Sequence, residues 1–537
     1  MPKLYEMSSS CLLNLGHGAI KWFHYYVVLS WAAIFISGLV FSHGFVEYAL
    51  SNVLISYLTT DLKMEYLPKA TTIIYIRDGV SSVLTIVLAH ISDAYTGRFE
   101  MVAISTAFYI LGLLLMRLFG TQIMLFFVAM ALVAVGSAGH EPVLKAFLAD
   151  QLSELEPKPS IDEERVEARA SVWWRVARFS GATTATFAIL SDTEWKVKFH
   201  ASLIAMVIAY LLLWLGFSLY YCNWMGFSLE YCNWWAFSLY YCKKATGSPL
   251  TLVFRVLKAA IMKCHLDYPL ESTQFYRNDS NQLPLFPRVR FLSRLLDKAA
   301  IVEKSSLSPE EQEITRRVFT VAQVKEVKLL FRTAPMWIPF YVYSLVAATG
   351  NTFFIDQAAN LNDKIGDGFV VPMNIFFLMR SFSSFTVPFL WDLLISKHLG
   401  EGGKHLATLV RIGCGMVCLI LCCITAWQVE LQRLHDSTGQ MSILWLAPQY
   451  CLLGAMEGLA LVGLQVFFYG QVAESMRSYG PPFTECVLGI GKFISIPFIF
   501  IFRHLKYEPF GSLLPYVSSP LCWEPIDLHL CSRNIFL

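Results

Sequence analysis

From Trp445 to Tyr469 the chain reads WLAPQYCLLGAMEGLALVGLQVFFY, an almost unbroken apolar run. It is long enough to cross the ~30 Å hydrocarbon core of a bilayer as a helix. One carboxylate, Glu457, sits in its middle. An ionisable group at that depth is costly, so it faces a bundle interior or a water-filled cavity and marks a functional position by default. Polar residues from Gln471 to Arg477, with Glu474 and Arg477 among them, mark the return to water.

Runs of this kind recur along all 537 residues, and composition agrees: 55% of residues are hydrophobic and only 15% charged. The first apolar run starts near Tyr25 and is too long for a cleaved signal. A net charge of +2 gives no electrostatic case for nucleic acid. The thirteen cysteines lie mostly inside apolar runs, as in CGMVCLILCC, without a paired CxxC framework. His140-Glu141 is not part of an H-E-x-x-H site, and no P-loop or G-x-S-x-G occurs, so neither an enzyme nor a bound metal or cofactor is expected.

The pattern predicts an all-α polytopic membrane protein. Six spans fall near 25–58 (bent at Gly44), 70–91, 101–118, 123–148, 170–190 and from 197. Five more fall near 330–356, 370–396, 405–427, 441–470 and 483–503. This divides the chain into an N-terminal six-helix bundle (1–242), a polar linker (243–327) and a C-terminal bundle (328–537). Lys243, Lys244, Lys325 and Lys328 flank the linker and Arg98 follows the second span, which places the N-terminus and linker in the cytoplasm. The sequon at Asn278 then lies on the side where it is not glycosylated.

Several motifs give these spans an identity. QVFFYGQVAESMRSYG, at 465–480, resembles the QEFFYDQVPDSMRSLG signature of the plant nitrate/peptide transporter family, the proton-dependent oligopeptide transporter branch of the major facilitator superfamily. Asp93-Ala94-Tyr95-Thr96-Gly97-Arg98 resembles the D-x-x-x-G-R loop after the second span, where Gly97 allows a tight turn and Asp93 and Arg98 can pair or bind helix ends. Ser51-Asn52 with Tyr57-Leu58-Thr59, KAFLADQ at 145–151, GSPLTL at 247–252, LDKAAI at 296–301 and VKEVKL at 324–329 follow in the family's order. The resemblance implies a major facilitator fold, two bundles with a solute site between them, and alternating access driven by proton symport.

Departures from the family concentrate where coupling would occur. The first-span E-x-x-E-R is replaced by Leu39-Val40-Phe41-Ser42-His43, and the fourth-span lysine by Glu141 in Gly139-His140-Glu141-Pro142. The W-S-G of the second span is Arg77-Asp78-Gly79. The histidine of the family's nitrate-recognising member falls at Ala347. The cavity charge is rearranged rather than emptied. His43 and Glu47 are one helical turn apart, and Glu141 is expected to meet one of them as the proton site. Glu457 is expected to face solute or a cation of the eleventh span, Lys492 to meet Glu457 or Glu485, and Arg77 and Asp78 to satisfy each other or to pair with His43, Glu47 or Glu141.

Two stretches are unlike the family. Residues 216–242 repeat every ten residues (GFSLYYCNWM, GFSLEYCNWW, AFSLYYC) and lengthen the sixth helix. After Phe502 four prolines interrupt the chain with no further apolar run, so eleven spans are expected, with the twelfth missing or aberrant. The expected function is transport of nitrate, small peptides or other small organic solutes, with protons and the lipid bilayer as the other partners, in the plasma or vacuolar membrane. The alternatives are a proton-independent uniporter and a non-transporting relative.

Overall fold

The structure, a computed structural model, describes residues 30–58, 67–120, 122–155, 163–188, 195–224, 247–269, 275–277, 291–303, 308–350, 353–365, 369–394, 401–435 and 441–507. The residues before Ser30, the repeat beyond Trp224, Asn278 and the tail after Tyr507 lie outside the described residues, and so do the readings made of them.

Six long helices come first: α1 (Trp31–Ser56), α2 (Leu67–Ile91), α3 (Arg98–Phe119), α4 (Ile123–Ser153), α5 (Glu163–Ala188) and α6 (Trp195–Trp224). The linker holds α7 (Pro249–Met262), α8 (Phe291–Asp297), α9 (Pro309–Ile314) and α10 (Val321–Arg332). The second set is α11 (Trp337–Gly350), α12 (Phe353–Ala359), α13 (Asn374–Leu394), α14 (Glu401–His435), α15 (Ala447–Met456), α16 (Val462–Gln471) and α17 (Gly480–Tyr507). A π turn, Glu457–Leu461, joins α15 to α16. Strands β1 (Lys364–Ile365) and β2 (Phe369–Val370) form a small antiparallel pair before α13, and the class is otherwise all-α.

Helix is what a bilayer imposes, because no water is present to satisfy free backbone groups. Eight helical segments of the described chain are long and apolar enough to cross a membrane. Helices α5, α13 and α17 are outside that set, and each carries charged side chains that line the interior cavities. The linker helices use the devices of helices in water: Ser308 with Glu311 and Thr320 with Gln323 form capping boxes, and Ser248 caps α7 ahead of Pro249.

In the first bundle α1 packs on α5 and α6, α3 on α4 and α6, and α2 on α4. In the second, α13 and α14 pack on α15, and α11 on α17. The bundles meet along two seams, α2 against α17 and α5 against α13. A second apolar core lies on one face, where linker residues Val253, Val256 and Val324 bury against Ala89 of α2 and against Phe468, Met476 and Tyr479 of the second bundle. The Tyr479 hydroxyl lies 2.7 Å from Ser248 Oγ.

Gly44 falls inside the continuous α1, where the glycine serves a close crossing. A Cβ there would sit 2.8 Å from the Arg178 carbonyl oxygen, and one at Gly181 would collide with the Phe41 carbonyl. In the second bundle a Cβ at Gly454 would collide with the Arg380 carbonyl. Each bundle therefore carries an arginine at a crossing that only glycine allows.

Candidate functional site

Those two arginines face the space between the bundles. Arg178 donates through Nη2 to Glu47 Oε2 at 2.5 Å and through Nη1 to Glu141, tying α5 to α1 and α4. Arg380 holds Glu457 with both Nε, at 3.0 Å, and Nη2. Two-point pairing of this kind fixes orientation as well as charge. Glu457 opens the π turn, a helix irregularity that is frequent at functional sites.

Two cavities lie against this layer. One, of about 370 Å³, is bordered by Lys145, Arg175 and Gln465. The other, of about 220 Å³, is bordered by Arg77, Asp78, Ser137, Tyr343 and Lys492. Glu47, Glu141, Arg178, Arg380, Glu457 and Glu485 line both. Along α4 the first cavity takes Glu141 and Lys145 and the second Val133, Ser137 and Glu141, so the first is nearer the linker face. The layer of ion pairs is the partition between them.

Polar links join the bundles on either side of the partition. Toward the linker, Lys145 Nζ lies 3.3 Å from Gln465 Oε1, and Arg175 lies 3.6 Å from Asp392, which Arg411 also holds at 3.0 Å. Toward the other side, Lys492 Nζ lies 3.7 Å from Asp78 Oδ2, and Tyr48 donates to the Asn374 carbonyl.

Arg77 and Asp78 do satisfy each other, as the sequence suggested. Lys492, expected against Glu457 or Glu485, instead reaches Asp78 across the α2–α17 seam. His43 is 2% exposed and stacks on His140 at 4.6 Å between ring centroids, with Tyr109 on its other side at 5.4 Å. It does not meet Glu141. Successive helix residues point about 100° apart, so α4 turns His140 to α1 and Glu141 to Arg178. Among the described residues, both His140 nitrogens and His43 Nε2 have no hydrogen-bond partner.

The loop after α2 also forms as expected. Arg98 Nε lies 3.1 Å from Asp93, and Nη1 lies 2.8 Å from Asp150 at the end of α4. Gly97 has φ +95°, where a side chain is strained, and a Cβ would meet the Glu100 carboxylate at 2.5 Å. The loop holds three helices together at the linker face and is not part of either cavity.

Sequence reasoning did not select Arg178, Arg380 or Glu485. A buried arginine 77 residues from its carboxylate leaves no local pattern. The only available signal was an arginine inside an apolar run, as at Arg380.

Comparison with known proteins agrees with this architecture. The family model described as PTR2, POT family, matches residues 99–225 and 233–501. Protein NRT1/PTR FAMILY 5.6 of Arabidopsis thaliana is 29% identical over 495 residues, covering 86% of this chain and 81% of that protein. Protein NRT1/PTR FAMILY 5.7 of the same plant is 29% identical over 518 residues, covering 89% and 81%. Among solved structures, the POT family transporter PepTSo superposes with a TM-score of 0.64 at 15% identity, covering 88% of this chain and 90% of that one. A POT family transporter in complex with 5-aminolevulinic acid gives 0.57 at 12% identity, covering 88% and 91%.

Proposed function

The chain belongs to the POT family and is a membrane transporter of the major facilitator fold, and from that premise we propose that it carries a small anionic or zwitterionic solute together with a proton. Nitrate, small peptides and carboxylate-bearing organic solutes are the classes in view. The single observation that carries this reading is the pair of arginines, Arg178 and Arg380, contributed by opposite bundles to one partition lined by both cavities. A guanidinium presents a planar fork of donors that matches carboxylate and nitrate oxygens. Each fork is occupied here by the protein's own carboxylates, Glu47 and Glu141 on one side and Glu457 on the other. An incoming anion competes for those forks, and a protonated carboxyl releases its arginine. A solute amine would be received by the freed Glu457.

The supporting residues divide by bundle. Glu47 and Glu141, with His43 one turn away, form the proton-sensitive side, and Glu457 with Arg380 the solute side. Arg77, Asp78 and Lys492 hold the bundles together away from the linker. Rocking about the partition breaks the links on one side at a time. In this reading the chain makes eleven crossings, with N-terminus and linker in the cytoplasm, in a plasma or vacuolar membrane.

Purified protein in liposomes tests this directly. An inward proton gradient is expected to drive accumulation of nitrate or dialanine. Glu141→Gln is expected to abolish that accumulation and leave exchange of solute down its gradient, whereas Glu457→Gln impairs both. Uptake with no pH dependence, unchanged by Glu141→Gln, would turn the reading to a uniporter. No uptake of any solute would favour a non-transporting relative.

A further inference from the structure

We propose that Glu485 is the carboxyl group that first takes up the transported proton and passes it to the Glu47 and Glu141 side. The proposal rests on the symport reading and adds to it a residue on α17. Glu485 lines both cavities, so it borders the partition from each side. Among the described residues no cation lies within 4 Å of it and no hydrogen bond holds it.

The charge count of the cavity bordered by Arg77, Asp78 and Lys492, taken over the described residues, explains why that matters. Its four cations are all engaged: Arg380 by Glu457, Arg178 by Glu47 and Glu141, and Arg77 and Lys492 by Asp78. Four paired carboxylates balance four cations, and Glu485 is a fifth. One proton makes this cavity neutral, and Lys145 and Arg175, which line the other cavity with Glu485, are held by Glu167 and Asp392. A net charge held away from bulk water is costly, and an acid relieves that cost by protonating. Glu47 and Glu141 share Arg178, and Arg77 and Lys492 share Asp78, so Glu485 is the one of the five that among the described residues has no cation within 4 Å.

Its surroundings point the same way. From α1 and α4 it faces Glu47 and Glu141, which repel its anion, and from α5 Arg178, which those two acids already hold. Lys492, two turns along its own helix, is committed to Asp78. The helices packed on α17 add Arg77 with Asp78 from α2 and the neutral phenol of Tyr343 from α11. His43 is the other titratable group near Glu47, but its ring lies outside the cavity, covered by His140 and Tyr109.

The coupling follows from reciprocity. A proton on Glu485 removes one negative charge from the chamber into which an anion must come. The anion in turn makes that proton harder to lose. The proton comes from water on one side and returns to water on the other once the solute has left.

Two measurements on the full chain test this. The first uses wild-type protein and a hydrophobic carbodiimide, which reacts with protonated carboxyls, followed by peptide mapping between pH 5.5 and 8.5. Glu485 is expected to label several-fold more than Glu47, Glu141 or Glu457, and less as pH rises. Labelling that spares Glu485, or falls first on another of these carboxylates, overturns the proposal. The second uses proteoliposomes with nitrate and dialanine as probes. Glu485→Gln is expected to keep exchange and lose proton-driven accumulation by roughly tenfold or more, the effect of about one pH unit of driving force, while Glu485→Asp restores it. Accumulation in Glu485→Gln equal to wild type overturns the proposal. Failure of the wild-type chain to accumulate either probe sinks the symport reading instead, and the carbodiimide map still decides whether Glu485 holds a proton.

Discussion

Replacing both Arg380 and Glu457 with leucine is expected to harm the protein less than replacing either one. Their side chains are 16% and 19% exposed, so both are largely withdrawn from water. Removing one partner of a buried ion pair costs ~3–5 kcal/mol, mostly because the other charge is left alone. Water in the adjoining cavity reaches the remaining charge and lowers that to about 2–3 kcal/mol. The double variant leaves no charge behind, and its cost falls to about 0–1 kcal/mol, as for apolar replacements of buried pairs elsewhere. The cycle therefore carries a coupling of about 3 kcal/mol or more, well above the error for independent sites. For a chain of 537 residues each kcal/mol moves the unfolding midpoint by roughly 1 °C. The single variants are thus expected about 2–3 °C below wild type and the double variant within about 1 °C of it. Tryptophan fluorescence during heating in detergent reads this, with solute uptake measured on the same preparations. The double variant is expected to stay folded and to transport nothing. A midpoint lowered by the sum of the two single losses would refute the electrostatic argument. Normal uptake by the double variant would refute the role given to the pair.

Three further outcomes are expected. Gly454→Val drives a side chain into the Arg380 carbonyl, and overpacking by ~3 kcal/mol is expected to appear as loss of monodisperse protein, whereas Gly413→Val, which has open space, is tolerated. Gly97→Ala strains a residue at φ +95° by about 1–2 kcal/mol, and is expected to lower the unfolding midpoint while leaving solute affinity unchanged in a binding assay. Lys263, 1% exposed, donates to the Ile301 carbonyl at 2.5 Å, and burial pushes its ammonium from 10.5 down to about 8. Between those values the unfolded linker binds more protons than the folded one, so linker stability rises with pH across that window. Limited proteolysis at pH 8 and pH 10 is expected to show slower linker cleavage at the higher pH, and Lys263→Met to remove the difference.

Spans were legible in the sequence because lipid demands long apolar helices, and Glu457 because one acid in such a run stands out. Partners were not legible. Glu141 was expected to join His43 or Glu47; it shares Arg178 with Glu47, while a helix sends neighbouring residues in different directions and His140 took the place beside His43. Lys492 was aimed at the nearest acids of its own bundle and found Asp78 across the seam. Arg178 was not singled out, though it anchors two carboxylates. Arg77 with Asp78 was readable, since adjacent residues need no tertiary information to pair. Where the chain departs from its family, only the packing of α1, α4 and α5 shows that the new charges answer one another.

The π turn at Glu457–Leu461 sets the phase of everything after it. Such a turn is an α-helix holding one residue more than its winding accommodates. Deleting one residue elsewhere in α15 or α16 would swing every later side chain by ~100° about the axis and carry Gln465 away from Lys145. Deleting Leu459 would let the bulge relax into regular helix with Gln465 still in place. The span would keep its seat in the bundle, and only the aim of Glu457 at Arg380 would change. The surplus residue thus separates the orientation of the acid from the register of the helix that bears it.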